Sequence, residues 1–139
     1  MAQVSMSQKL EASAEKVWEL IGGFNSLPTW HPAVVKSRTE GEGEGQVRTL
    51  ELTGGATIRE RLDREDEGAR SYTYSILSGP LPVADYVATL SVQDLGDGAC
   101  AVEWSSEFNP DGVPEAAAVE IIESVYQTGF VGLTEKFGE

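Results

Sequence analysis

From Ala33 to Phe108 the chain alternates apolar and polar residues in short runs, and from Pro114 onward it switches to helical spacing. That switch constrains the fold more than any other feature. Period-two runs give every strand two faces, and an antiparallel sheet with one apolar face must cover it with something. The runs are 34–39, 46–53, 56–63, 71–78, 85–93 and 99–108, separated by the turn-forming EGEGEG, GG, REDEG, SGPLPVA and DLGDG. An earlier run at 4–10 makes seven. After a loop at 109–113, Pro114 suits the first turn of a helix that reaches Phe137 and stops at Gly138. About 23 residues at ~1.5 Å rise give a rod of roughly 35 Å, long enough to lie across the sheet.

Between the first and second strands the chain carries ASAEKVWELIGGFNSLPTWHPAV. Ser13 reads as an N-cap, with Lys16 where a capping-box acid would stand. Val17, Trp18, Leu20 and Ile21 form a helical apolar face, and Gly22-Gly23 ends it. Residues 24–30 read as a second short helix or a turn. It stops at His31-Pro32, because the residue before a proline disfavours the α region. His31 is the sole histidine of the chain.

Composition narrows the function classes. Ten Lys and Arg against 23 Asp and Glu give a net charge of −13, which repels phosphate backbones and anionic membranes. A single cysteine, Cys100, allows no intrachain disulfide and no cysteine-rich metal site. No apolar run approaches membrane-spanning length, and the N-terminus lacks a signal-peptide core. The expectation is one domain over 1–139, cytoplasmic, monomeric or homodimeric, without nucleic acid, integral membrane association, metal or cofactor.

The alternation assigns inner faces. Arg48, Leu50 and Leu52 share one, and Ile58, Glu60 and Leu62 another. Tyr72, Tyr74 and Ile76 go together, as do Tyr86, Ala88, Leu90 and Val92. The last strand contributes Cys100, Val102, Trp104, Ser106 and Phe108. The helix offers an inward stripe of Ala118, Ile121, Ile122, Val125, Gly129, Leu133 and Phe137, flanked by Tyr126 and Phe130. Mostly apolar walls with a few polar groups are the composition of a small-molecule pocket. Its ligand-binding candidates are Trp30, Arg48, Tyr72, Tyr74, Tyr86, Trp104, Phe108, Val125 and Gly129.

Glu60 and His31 are the candidate catalytic groups. A carboxylate on an apolar face is paired, protonated or wet, so Glu60 is either a general acid or base or the ion-pair partner of Arg48. His31 is either a proton shuttle or a packing histidine, since no neighbouring Ser, Cys or acid forms a dyad with it. Cys100 reads as a small buried hydrophobe. Gly129 and Gly132 cost ~1 kcal/mol each in a helix relative to Ala, which signals close packing or space for a ligand.

The same early segment, with RERLDRED, YTYSILSGPLPVADYVATLSV and WSSEF later, resembles the START-like (SRPBCC) superfamily, in particular its polyketide cyclase/dehydrase and lipid-transport group. The resemblance implies an α+β helix-grip fold: a seven-stranded antiparallel curved sheet wrapped around a long C-terminal helix, with two short helices after strand 1. It implies an internal cavity for a small hydrophobic or aromatic molecule, with His31 near its mouth. In related receptors a proline-bearing loop at the place of SGPLPV gates the ligand; the other reading is a rigid hairpin. Function is then carrier or sensor, or alternatively a cofactor-independent cyclase or dehydratase.

Overall fold

The computed structural model describes residues 1–138; Glu139, the last residue of the single domain expected over 1–139, lies outside them. Strand β1 (Ala2–Leu10) is followed by helix α1 (Ala14–Ile21), a 3₁₀ turn (Leu27–Thr29) and β2 (Val34–Glu40). A meander follows: β3 (Val47–Leu52), β4 (Thr57–Asp66), β5 (Ser71–Ser78), β6 (Val83–Gly96) and β7 (Ala99–Pro110). Helix α2 (Glu115–Phe137) closes the chain. All neighbours in the sheet are antiparallel, in the order β1-β7-β6-β5-β4-β3-β2.

Local chemistry accounts for the elements between β1 and β2. Ser13 is an extended N-cap whose hydroxyl accepts from the Lys16 backbone N–H at 3.2 Å. Val17, Trp18 and Ile21 bury one side of α1 against β6 and β7. The second of the two expected short helices is a single 3₁₀ turn, because Pro28 and Pro32 leave too few free N–H groups for an α-helix.

Two strands run longer than their alternation suggests. β4 continues to Asp66 through a bulge between Leu62 and Arg64, and β6 spans Val83 to Gly96 with irregularities between Ala84 and Val87 and between Asp94 and Gly96. An extra residue breaks the period-two pattern while hydrogen bonding resumes beyond it, and it bends and twists the strand. Such bends suit a curved sheet.

The core lies between the sheet's apolar face and the helices. Leu62, Leu90, Val102 and Phe108 from the sheet are fully buried, as are Tyr126 and Leu133 from α2. The stripe on α2 is rotated from the expected one. Tyr126 and Phe130 are buried within it, whereas Ile121 is 39% exposed. The buried set 118, 122, 126, 129, 130, 132 and 133 follows the 3.6-residue repeat, and position 121 falls at its edge.

Candidate functional site

Between α2 and the β3–β7 part of the sheet lies a cavity of about 230 Å³. Leu50, Ile58 and Ile76 from the strands, Ile122 and Val125 from α2, and Leu27 from the 3₁₀ turn supply much of its apolar wall. Its polar lining comes mainly from His31, Arg48, Glu60, Tyr74 and Tyr86, with Ser124 and Thr128 on α2.

Arg48 and Glu60 are register partners on β3 and β4. Their shared inward phase therefore places them side by side, 1% and 5% exposed. Arg48 Nε and Nη2 both close on the same carboxylate oxygen, Oε1, at 2.7 Å. Nη1 donates to the Phe24 carbonyl at 2.8 Å and to the Tyr72 hydroxyl at 3.4 Å. The guanidinium carbon also lies 4.1 Å from the Phe24 ring centroid and 4.9 Å from that of Tyr74, in cation–π geometry. Burial by itself disfavours the charged guanidinium; Glu60 and the phenols Tyr72 and Tyr74 more than offset this and hold it protonated. Burial likewise pushes the Glu60 carboxyl above the usual range, with Arg48 pulling the other way.

Behind the wall runs a chain of hydroxyls. Trp104 Nε1 donates to the Tyr74 hydroxyl at 3.0 Å, Tyr74 and Tyr86 hydroxyls are 3.4 Å apart, and Tyr86 meets Tyr126 at 2.5 Å. Burial raises Tyr74 and Tyr86 well above the ordinary phenol range, and Tyr126 above it too. These phenols therefore remain neutral donors at any ordinary pH. Trp104 stacks on Tyr126 with centroids 4.3 Å apart and planes at 15°, fixing α2 against β7.

His31 is 4% exposed. Its Nδ1 accepts from the Ala33 backbone N–H at 3.2 Å, so Nε2 carries the proton and donates to the Val125 carbonyl at 2.9 Å. Burial holds the imidazole below its usual range; the Val125 bond works against this, and the nearby Arg48 charge adds to it. The ring is thus a neutral tie between the Trp-His-Pro segment and α2, with one face on the cavity.

The sequence candidates fall into two groups. His31, Arg48, Glu60, Tyr74, Tyr86, Trp104 and Val125 line the cavity. Trp30, Tyr72, Phe108 and Gly129 stand outside its lining: Trp30 rests 5.8 Å from both His31 and Trp104, Tyr72 supports Arg48, and Phe108 backs Tyr86 at 6.0 Å. Gly129 admits these rings, since a Cβ there would lie 2.9 Å from His31 Cδ2 and from Trp104 Cζ3. Cys100 is buried opposite Leu10 and Asp94, remote in register from any histidine. Leu81 of the SGPLPV segment reaches the cavity wall. Leu27, Ala33 and Thr128 also line it, although no sequence pattern marks them, because they sit in a turn, a junction and a helix edge where alternation defines no inner face. Among the described residues no group of three or more His, Cys, Asp or Glu is placed to hold a metal ion, and no helix is long and apolar enough to cross a membrane.

The sequence pattern of the polyketide cyclase / dehydrase and lipid transport family matches residues 1–138. The chain belongs to this family. It is similar to the solved structure of the protein XoxI from Bacillus cereus, 38% identical with a TM-score of 0.94, covering 99% of this chain and 96% of that one. A START superfamily protein from Mycobacterium smegmatis, 14% identical, shares the fold at a TM-score of 0.81 over 97% of this chain and 96% of its own. Among plant relatives, the Dau c 1 isoallergen Dau c 1.0401 of Daucus carota is 30% identical over 129 residues, 78% of this chain and 83% of that protein. Ribonuclease 1 of Panax ginseng is 32% identical over 101 residues, 64% of this chain and 66% of the relative, just under two thirds of its length.

Proposed function

We propose that this member of the family binds one small, neutral, largely apolar molecule in its interior, as a carrier or sensor. The observation that carries the reading is the cavity itself: about 230 Å³ walled by aliphatic and aromatic side chains in an otherwise closely packed core. Packed interiors rarely leave voids much larger than a water molecule. The volume lies below the roughly 300–1,000 Å³ of pockets for drug-sized ligands, which favours a single fused ring system over a long acyl chain. The net charge of −13 argues against RNA as the ligand. Native mass spectrometry and calorimetry with naphthalene-sized neutral aromatics test the reading. One-to-one saturable binding is expected, lost when Ile76→Trp fills the cavity. Absence of saturable binding, or binding unaffected by that substitution, would overturn it.

The runner-up is a cyclase or dehydratase that uses no cofactor. The family's range and the convergence of Glu60, Tyr74 and Tyr86 on one cavity favour it. Glu60 would move the proton, and a neutral phenol would polarise a carbonyl. His31 is the weaker partner in that scheme, since both its nitrogens are already engaged. The two readings separate on Glu60→Gln: an enzyme loses turnover while binding persists, whereas a carrier shows no turnover to lose.

A further inference from the structure

The cavity's polar groups differ in how far they are already satisfied. Both His31 nitrogens have backbone partners. Arg48 directs Nε and Nη2 at Glu60 and Nη1 at Phe24 and Tyr72, and aromatic rings lie against its guanidinium. Tyr74 and Tyr86 are bonded to each other and onward to Trp104 and Tyr126. The Thr128 hydroxyl donates to the Ser124 carbonyl. Glu60 is different. Both close approaches from Arg48 fall on Oε1, and Oε2 receives neither. Glu60 lines the cavity, so the oxygen that these two contacts leave free can accept a hydrogen bond from a molecule held there.

Resting on the binding reading above, we propose that Glu60 Oε2 is the specificity determinant of the cavity, and that the ligand is a flat neutral aromatic bearing a hydroxyl that donates to it. Arg48 acts as a clamp that orients the carboxylate; Glu60, Phe24 and Tyr72 take four of its five N–H groups and aromatic rings lie against its guanidinium, so it is a poor anion hook. A ligand carboxylate would meet Glu60 without a free cation to balance it, so anionic lipids and aromatic acids are rejected. A ligand ammonium would in turn meet the Arg48 charge. A neutral O–H satisfies the site without adding charge, while Trp104, Tyr74 and Tyr86 provide aromatic wall for the ring.

Calorimetry on the intact chain with three matched probes tests this: 2-naphthol, 2-methoxynaphthalene and 2-naphthoate. A hydrogen bond to a charged acceptor corresponds to about tenfold or more in affinity. 2-Naphthol is therefore expected to bind at least about tenfold more tightly than its methyl ether, and naphthoate more weakly than either. Glu60→Gln presents an amide in place of the carboxylate and should shrink or invert the naphthol preference. The double variant Arg48→Met/Glu60→Leu removes both charges while keeping apolar bulk, and should bind naphthol and ether alike, which keeps the test alive if the single variant does not fold. Equal affinities in the wild-type chain, tighter binding of the ether or of naphthoate, or a naphthol preference that survives in the double variant would each overturn the assignment to Glu60. No saturable binding of any of the three would overturn the binding reading itself.

Discussion

Arg48 and Glu60 bury opposite charges side by side, and the physics of such a pair is asymmetric. Together they recover part of their desolvation through two short contacts; apart, either one is a stranded charge in an apolar wall. Arg48→Met and Glu60→Gln should each destabilise the fold by about 3–5 kcal/mol, and the double variant by clearly less than the sum. Urea unfolding of the three variants checks this; additive losses would mean the residues do not interact. The pair is legible in the sequence, because both residues fall on the apolar phase of adjacent strands and alternation is strict there. What alternation cannot show is that both contacts converge on one oxygen. Nor does sequence reveal that His31 is saturated by Ala33 and Val125, since one partner lies 94 positions away.

At the scale of elements, the docking of α2 onto the Trp-His-Pro segment shapes the cavity's end. A Cβ at Gly132 would sit 1.9 Å from the Trp30 carbonyl oxygen and 2.9 Å from Pro32 Cδ, so the helix approaches that backbone more closely than any other residue type allows. The two prolines and the 3₁₀ turn hold the segment rigid against it. The sign of one substitution is decisive. At an unconstrained helix position Gly→Ala stabilises by ~1 kcal/mol; Gly132→Ala should instead destabilise by about 1–3 kcal/mol or more through overpacking. Exposed Gln127→Ala, by contrast, should stay within about 0.5 kcal/mol. Thermal melts measure both, and a stabilised Gly132→Ala would refute the close approach. The two glycines stand out in the sequence but leave open close packing or ligand space; at Gly132 the structure shows close packing. Periodicity misplaces the helix's inner face because Ile121 and Val131 put apolar residues on the exposed side, blurring the contrast that periodicity needs, while Tyr126 hides its hydroxyl inside by bonding it to Tyr86.

The whole molecule is a sheet bent around a helix, with an apolar chamber left between them and an acidic exterior that repels anions at a distance. Antiparallel strands, the long helix and their order follow from period and turn chemistry alone, so the architecture is legible in the chain. The chamber is not, because its existence depends on how far the bulged strands stand off from α2, and no local pattern encodes that distance. On the binding reading, the chamber takes up a small aromatic molecule. Intermolecular NOEs between 2-naphthol and the methyl groups of the isotope-labelled protein test it most directly. NOEs are expected from the ring protons to Leu50, Ile58, Ile76 and Ile122, four residues that line the cavity from three strands and the helix. NOEs confined to exposed residues such as Val35 and Leu95, or none at saturating ligand, would contradict it.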